Sequence, residues 1–402
     1  MLKPCLLSAA LTVAIPFANA QSLLFTSLDD AIAKATEGQQ IVGTVVLVAH
    51  KGEIVYHRAA GKSDRERSRL MREDDIFRLA SVTKPIVSVA VMKSIEQGKL
   101  DLQTPVTRWL PEFKPRELDG STPTISIHQL LTHTAGLSYG FLEPLNGPYR
   151  RAGVSDGLDM GIPMQENLRR ISSVPLTYSP GTGWRYSVAM DVLGAAISAA
   201  TESSLPELVR KQVTGPLGMA DTGFSVVDSA RLVTPYQDGG TRPLRMTSDA
   251  EVAIGEGSIR FNPDRVWDTH AYPSGGAGMV GTAGDFMKLL LSLRPDSTHR
   301  VLKPETVALM MRNHTEPQVQ TLGPGWGFGY GWAILTNPEL ARTPQGKGTI
   351  QWGGAYGHSW FYDPVHDIAV VALTNTAIEG MSGAFPQEVR DAVYVALNPK
   401  RL

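Results

Sequence analysis

Two blocks of strand-forming sequence lie at opposite ends of this chain, with a long stretch of helical pattern between them. Near the start, residues 41–49 and 54–60 are β-rich, and His50-Lys51-Gly52 between them is a hairpin signature. Near the end, residues 349–352, 359–363 and 368–374 read as a meander, with turns at Gly353-Gly354 and at Pro364-Val365-His366-Asp367. Helical spacing marks residues 27–38, 127–131, 191–201, 205–213, 282–293, 304–312 and 385–397. The expected fold class is α+β. An antiparallel sheet forms from the N- and C-terminal segments (about 21–80 and 300–402), flanked by helices, with a helical subdomain (about 81–299) inserted. A cleft between two such parts is a usual place for a ligand.

The chemistry is concentrated in Ser81-Val82-Thr83-Lys84. A serine hydroxyl is a weak nucleophile until a neighbour takes its proton. Three residues along a helix returns the chain to the same face, so Lys84 can reach back to the Ser81 oxygen. The following run, Pro85-Ile86-Val87-Ser88-Val89-Ala90-Val91-Met92, is apolar enough for a buried helix. Pro85 is tolerable only in the first turn, which puts Ser81 at or near the N-terminus. There its backbone N–H can meet a developing oxyanion.

A rival nucleophile fails on context. Gly153-Val154-Ser155-Asp156-Gly157 matches the Gly-x-Ser-x-Gly elbow, which needs a strand before the serine and a helix after it. Asn146-Gly147-Pro148-Tyr149-Arg150-Arg151 upstream reads as turn and charge. Gly161 and Pro163 downstream prevent a helix. Ser155 is expected in a polar surface loop.

Composition excludes other classes. Lys3, an apolar run over residues 6–17 and Ala18-Asn19-Ala20 before Gln21 form an export signal, with cleavage expected after Ala20. The single cysteine, Cys5, lies inside that segment, so the mature chain has no disulfide. An exported chain without disulfides fits a periplasmic or secreted location. No later stretch is apolar enough to span a membrane. The formal net charge is -1, or -2 without Lys3, with no basic stripe for nucleic acid. The nine histidines are scattered, with no metal-ligand spacing, so neither metal nor other cofactor is expected. Oligomeric state is not determined at this level.

Five stretches, in order, carry a family resemblance. They are Phe77-Arg78-Leu79-Ala80-Ser81-Val82-Thr83-Lys84 and Leu130-Leu131-Thr132-His133-Thr134-Ala135-Gly136-Leu137, then Tyr178-Ser179-Pro180-Gly181-Thr182-Gly183-Trp184-Arg185-Tyr186-Ser187, Pro216-Leu217-Gly218-Met219 and Trp352-Gly353-Gly354. The chain resembles the serine β-lactamase and penicillin-binding-protein superfamily, in its class C-like, carboxylesterase branch. The resemblance implies Ser81 as acylated nucleophile, Lys84 as its proton acceptor and Tyr186 sharing the acid–base work. An unperturbed phenol is a poor base at neutral pH, so Lys84 is expected to lower the Tyr186 value. The backbone N–H groups of Ser81 and Ala355 would form the oxyanion hole. Trp352, Gly353 and Gly354 would line the substrate, the glycines permitting its close approach. Gly275-Gly276-Ala277-Gly278-Met279 is expected to be packing or a loop wall.

Two departures bear on the substrate. The second motif reads Tyr186-Ser187-Val188, so Val188 stands where relatives often carry asparagine, and an amide donor is lost. Trp352 stands where relatives carry lysine, replacing a charge for carboxylates with an apolar wall. Both point to a serine hydrolase of small-molecule carboxylic esters. The alternatives are a β-lactamase or D-amino-acid peptidase, an acyltransferase using the same acyl-enzyme, and a non-catalytic wall-binding or sensor module.

Overall fold

The central strands are apolar on both faces, and this forces helices onto both sides of the sheet. In the computed structural model, which describes residues 24–159 and 161–397, eight strands form one antiparallel sheet. The expected export signal, residues 1–20, lies outside the described residues. The strands are β1 (Gly43–His50), β2 (Glu53–Asp64), β3 (Arg69–Leu70), β4 (Trp326–Phe328), β5 (Ala333–Leu335), β6 (Ile350–Gly354), β7 (His358–Asp363) and β8 (Ile368–Thr374). Their spatial order is β4-β5-β6-β7-β8-β1-β2-β3. The two ends of the chain meet where β1 pairs with β8, from Thr44 opposite Thr374 to His50 opposite Ile368.

Alternation along these strands separates two cores. Val46 and Val48 of β1 and Val370 and Ala372 of β8 face α1 (Thr26–Glu37) and the C-terminal helix, α5 (Ala384–Leu397). Val45, Leu47, Val371 and Leu373 face the other way. They join the large core under α2 (Thr83–Glu96), α3 (Ala189–Thr201) and α4 (Ala283–Ser292). Each fully buried Val or Leu contributes about 1.5–3 kcal/mol, so a one-residue slip of β1 would forfeit both sets at once.

The expected strands and helices are present, with shifts at their ends. Lys51 and Gly52 close the β1–β2 hairpin with φ of +53° and +84°, as a tight two-residue turn requires. Gly353-Gly354 is not a turn: both residues complete β6, and the chain reverses after them, with Gly357 at φ +110°. The short strands β4, at the sheet edge, and β5 beside it have no counterpart in the sequence pattern, because three-residue strands set among Gly329 and Gly331 read as loop. Within the helical part, Ala250–Ile254 and Gly257–Phe261 form a two-stranded ribbon, also unforeseen. The 205–213 helix is α-helical over Leu205–Val209 and continues as a π turn over Arg210–Thr214.

Candidate active site

Ser81 sits in a 3-10 turn, Ala80–Val82, that runs directly into α2. The residue before it, Ala80, has φ +46°, a left-handed conformation that side chains resist. Surrounding contacts hold it there. The Leu79 N–H donates to the Met279 carbonyl at 2.9 Å, and the Met279 N–H donates to Thr83 Oγ1 at 3.1 Å. On the sheet side, Gly354 lets β6 press against the same turn. A Cβ there would lie 2.5 Å from the Leu79 carbonyl oxygen and 3.1 Å from Val82 Cγ2. The glycine pair therefore serves the protein's own packing at Gly354, while Gly353 borders the cavity. Gly354→Ala should cost about 1–3 kcal/mol of stability and displace the Ser81 turn. Thermal melts and ester turnover check this, and wild-type values in both would refute it.

Lys84 reaches back one turn, as the spacing predicts. Its Nζ donates to Ser81 Oγ at 3.1 Å and to the Gly276 carbonyl at 2.8 Å. It also lies 4.6 Å from the Tyr186 ring centroid and 5.3 Å from that of Tyr139. The residue is only 1% exposed. Burial disfavours the ammonium and brings its pKa down to about 7, against partial support from Asp191 and Asp156. The glycine string read as packing thus supplies a hydrogen-bond acceptor to Lys84.

Tyr186 approaches Ser81 from a separate segment, its hydroxyl donating to Ser81 Oγ at 2.7 Å. Ser81 Oγ is therefore the meeting point of the lysine and the tyrosine. The expectation that Lys84 lowers the tyrosine's pKa is corrected here. Burial, and to a lesser degree the Asp191 charge, push Tyr186 up, opposed by its hydrogen bonds with Ser81 and Trp352. At neutral pH Tyr186 is a phenol, and Lys84 is the group able to accept a proton. Trp352 does more than form a wall. Its Nε1–H donates to the Tyr186 hydroxyl at 3.2 Å, and the two rings lie 5.0 Å apart. Nothing in the sequence pattern carried that bond.

The cluster opens into a cavity of about 550 Å³ bordered by Ser81, Tyr186, Trp352, Gly353 and Ala355. Phe141, Leu142, Ile254 and Ile259 add an apolar wall. Val188 does not face this space: it is buried in the large core at the start of α3. Its identity therefore reports on packing, and the inferred loss of a substrate-binding amide does not follow from its position. Ser155 is corrected too. It is buried rather than on the surface, donating to the Asp159 carboxylate and accepting from the Gly157 N–H at 3.2 Å. Among the described residues no group of three or more His, Cys, Asp or Glu could hold a metal, and no helix is long and apolar enough to cross a membrane.

A serine presented at a helix start, one turn ahead of a buried lysine and beside strand β6 of the antiparallel sheet, defines an active-serine hydrolase of the β-lactamase and penicillin-binding-protein fold. Residues 28–393 match the beta-lactamase family profile. The chain is 50% identical to Esterase EstB from Burkholderia gladioli over 376 residues, 92% of this chain and 95% of that one. Among solved structures it is similar to EstCE1, a hydrolase with promiscuous acyltransferase activity. The two are 45% identical with a TM-score of 0.91, over 94% of this chain and 100% of that one. The octameric penicillin-binding protein homologue from Pyrococcus abyssi is 21% identical with a TM-score of 0.68, over 93% of this chain and 78% of that one, a likeness of fold alone. The chain belongs to the beta-lactamase family and is a serine hydrolase of the carboxylesterase kind.

Proposed function

We propose that the protein hydrolyses small, neutral carboxylic esters through an acyl-enzyme on Ser81, with Lys84 as base and Tyr186 as acid. The observation that carries this is the convergence of Lys84 Nζ and the Tyr186 hydroxyl on Ser81 Oγ, at 3.1 and 2.7 Å. As Oγ adds to the ester carbonyl carbon, its proton passes to neutral Lys84. The carbonyl oxygen becomes an oxyanion, received by the backbone N–H groups of Ser81 and Ala355. Collapse breaks the carbon–alkoxide bond, the departing alkoxide takes the Tyr186 proton, and the Lys84 ammonium restores it. Water then repeats the sequence on the acyl-enzyme, releasing the acid.

The ester reading over a β-lactam reading rests on Trp352. Its indole covers the cavity wall where a cation would otherwise meet a carboxylate, and it is committed to Tyr186. Covering ~100 Å² of an apolar acyl group contributes ~2.5 kcal/mol. A short-chain aryl ester is expected to have a kcat/KM far above that of a chromogenic cephalosporin. The reverse order would overturn this reading, and Trp352→Lys should narrow the gap. Tyr186→Phe keeps the ring and its neighbours, so its expected cost of ~10²-fold or more in kcat isolates the phenolic proton. Unchanged turnover would return Tyr186 to packing.

Acyl transfer is a second reading, favoured by the apolar wall of Phe141, Leu142, Ile254 and Ile259 around Ser81. Such a wall can admit an alcohol in place of water. Product analysis with an added primary alcohol separates the two routes. Export after cleavage at Ala20 is part of the proposal, and the N-terminus of the mature protein tests it.

A further inference from the structure

The base proposed above is docked, at its far side, on the Gly276 carbonyl, and what stands behind that carbonyl has no assigned role. Ser274 Oγ accepts from the Ala277 N–H at 2.9 Å, which belongs to the same peptide unit as the Gly276 carbonyl. The Ser274 hydroxyl in turn donates to Asp191 Oδ1 at 2.5 Å, and the Gly276 N–H reaches the same oxygen at 3.3 Å. An unbroken hydrogen-bond chain thus runs from the Asp191 carboxylate through Ser274 and one peptide group to Lys84 Nζ. Chains of this kind polarise each member, so the Gly276 oxygen accepts more strongly than an isolated carbonyl.

The loop is shaped for this contact. A Cβ on Gly275 would lie 2.4 Å from the Met190 carbonyl oxygen, and one on Gly276 would lie 2.9 Å from the Tyr139 hydroxyl and 3.0 Å from Asp191 Oδ2. Only glycines let the segment sit on α3 at this distance. Asp191 and Ser274 are both buried, at 1% and 0% exposed, and Asp191 Oδ2 has no hydrogen-bond partner among the described residues. A buried carboxylate with one idle oxygen is a costly choice for a structural post that an amide could fill. Burial raises the pKa of the Asp191 carboxyl, opposed by the Ser274 hydrogen bond and the Lys84 charge, and the capacity to carry a negative charge is the property that an amide lacks.

We propose that Asp191 and Ser274 are positioning residues for the proton transfer, holding and polarising the Gly276 carbonyl so that Lys84 keeps its place and its basicity at Ser81. This rests on the reading of Ser81 and Lys84 given above. The groups that face Asp191 are Lys84 from α2, Tyr139, Asp156, Tyr186, Tyr272 and Arg265. His133 also faces Lys84, held neutral by burial and by the lysine's charge. Of the two carboxyl groups that act on Lys84, Asp191 and Asp156, it is Asp191 that the hydrogen-bond chain joins to the lysine.

The test is the pH profile of ester turnover in Asp191→Asn and Ser274→Ala, with folding checked by thermal melts. Asp191→Asn keeps the acceptor oxygen but removes the charge. Its activity limb should move to lower pH by one unit or more, with kcat down at least tenfold and KM nearly unchanged. Ser274→Ala leaves the charge and cuts the chain, so kcat should fall with a smaller movement of the limb. A folded Asp191→Asn with wild-type kcat and limb overturns the proposal, as does an effect confined to KM. If neither variant folds, the pair is structural and the proposal falls. Fluorophosphonate labelling of the wild type at Ser81, and its loss in Lys84→Ala, test the underlying reading separately.

Discussion

Ser81→Ala is expected to reduce ester turnover by at least ~10³-fold, the scale on which removing an acylated nucleophile acts, while Ser155→Ala leaves kcat within a few-fold. The contrast follows from what each hydroxyl touches. Ser81 Oγ meets Lys84 and Tyr186 at the border of the cavity. Ser155 Oγ is engaged by the Asp159 carboxylate and the Gly157 N–H. Removing the Ser155 hydroxyl strips a partner from a buried carboxylate, a cost of about 1–3 kcal/mol in stability. Ser155→Ala should therefore melt lower yet turn over normally. Mass-spectrometric mapping of a fluorophosphonate to Ser155 would reverse the assignment.

The second large effect concerns Lys84 and pH. Burial brings the lysine to about 7, and only its neutral form can take the Ser81 proton. The value of kcat/KM should thus rise about tenfold per pH unit below 7 and level off above it. Lys84→Ala should lower kcat by about 10²–10⁴-fold and erase this limb. The same shift has a consequence for stability. The unfolded lysine titrates near 10.5, so between about 7 and 10.5 the unfolded chain binds the extra proton. The contribution of Lys84 to stability therefore improves as pH rises through that window and is least favourable below 7. A flat kcat/KM between pH 5 and 8 would remove Lys84 from the role of base.

Much of this was legible because it is local. Ser81 and Lys84 are one helical turn apart, so their contact needs little beyond a helix and the Pro85 that fixes where it starts. The β1–β2 hairpin and the β7–β8 meander are likewise written in alternation and turn residues. Tyr186 was reachable only through family resemblance, since 105 positions separate it from Ser81. Three readings failed for the same reason. Gly353-Gly354 looks like a turn in isolation, but the Ser81 turn packed against it makes it the end of a strand. Val188 looks available to substrate, but the entry into α3 turns it into the core. Ser155 looks like surface, but Asp159 and Asn167 close over it.

The sequence by itself determined the serine–lysine pair one helical turn apart, the sheet built from both ends of the chain and the family, because these rest on spacing, alternation and ordered motifs. The protonation states were decided by the tertiary structure. Burial brings Lys84 down to about 7 and, with the Asp191 charge, keeps Tyr186 a phenol. The bond from Trp352 to Tyr186, and the path from Lys84 through Gly276 and Ser274 to Asp191, join residues far apart in the chain. Desolvation and such long-range hydrogen bonds depend on what surrounds a group in space, which no local pattern of residues encodes.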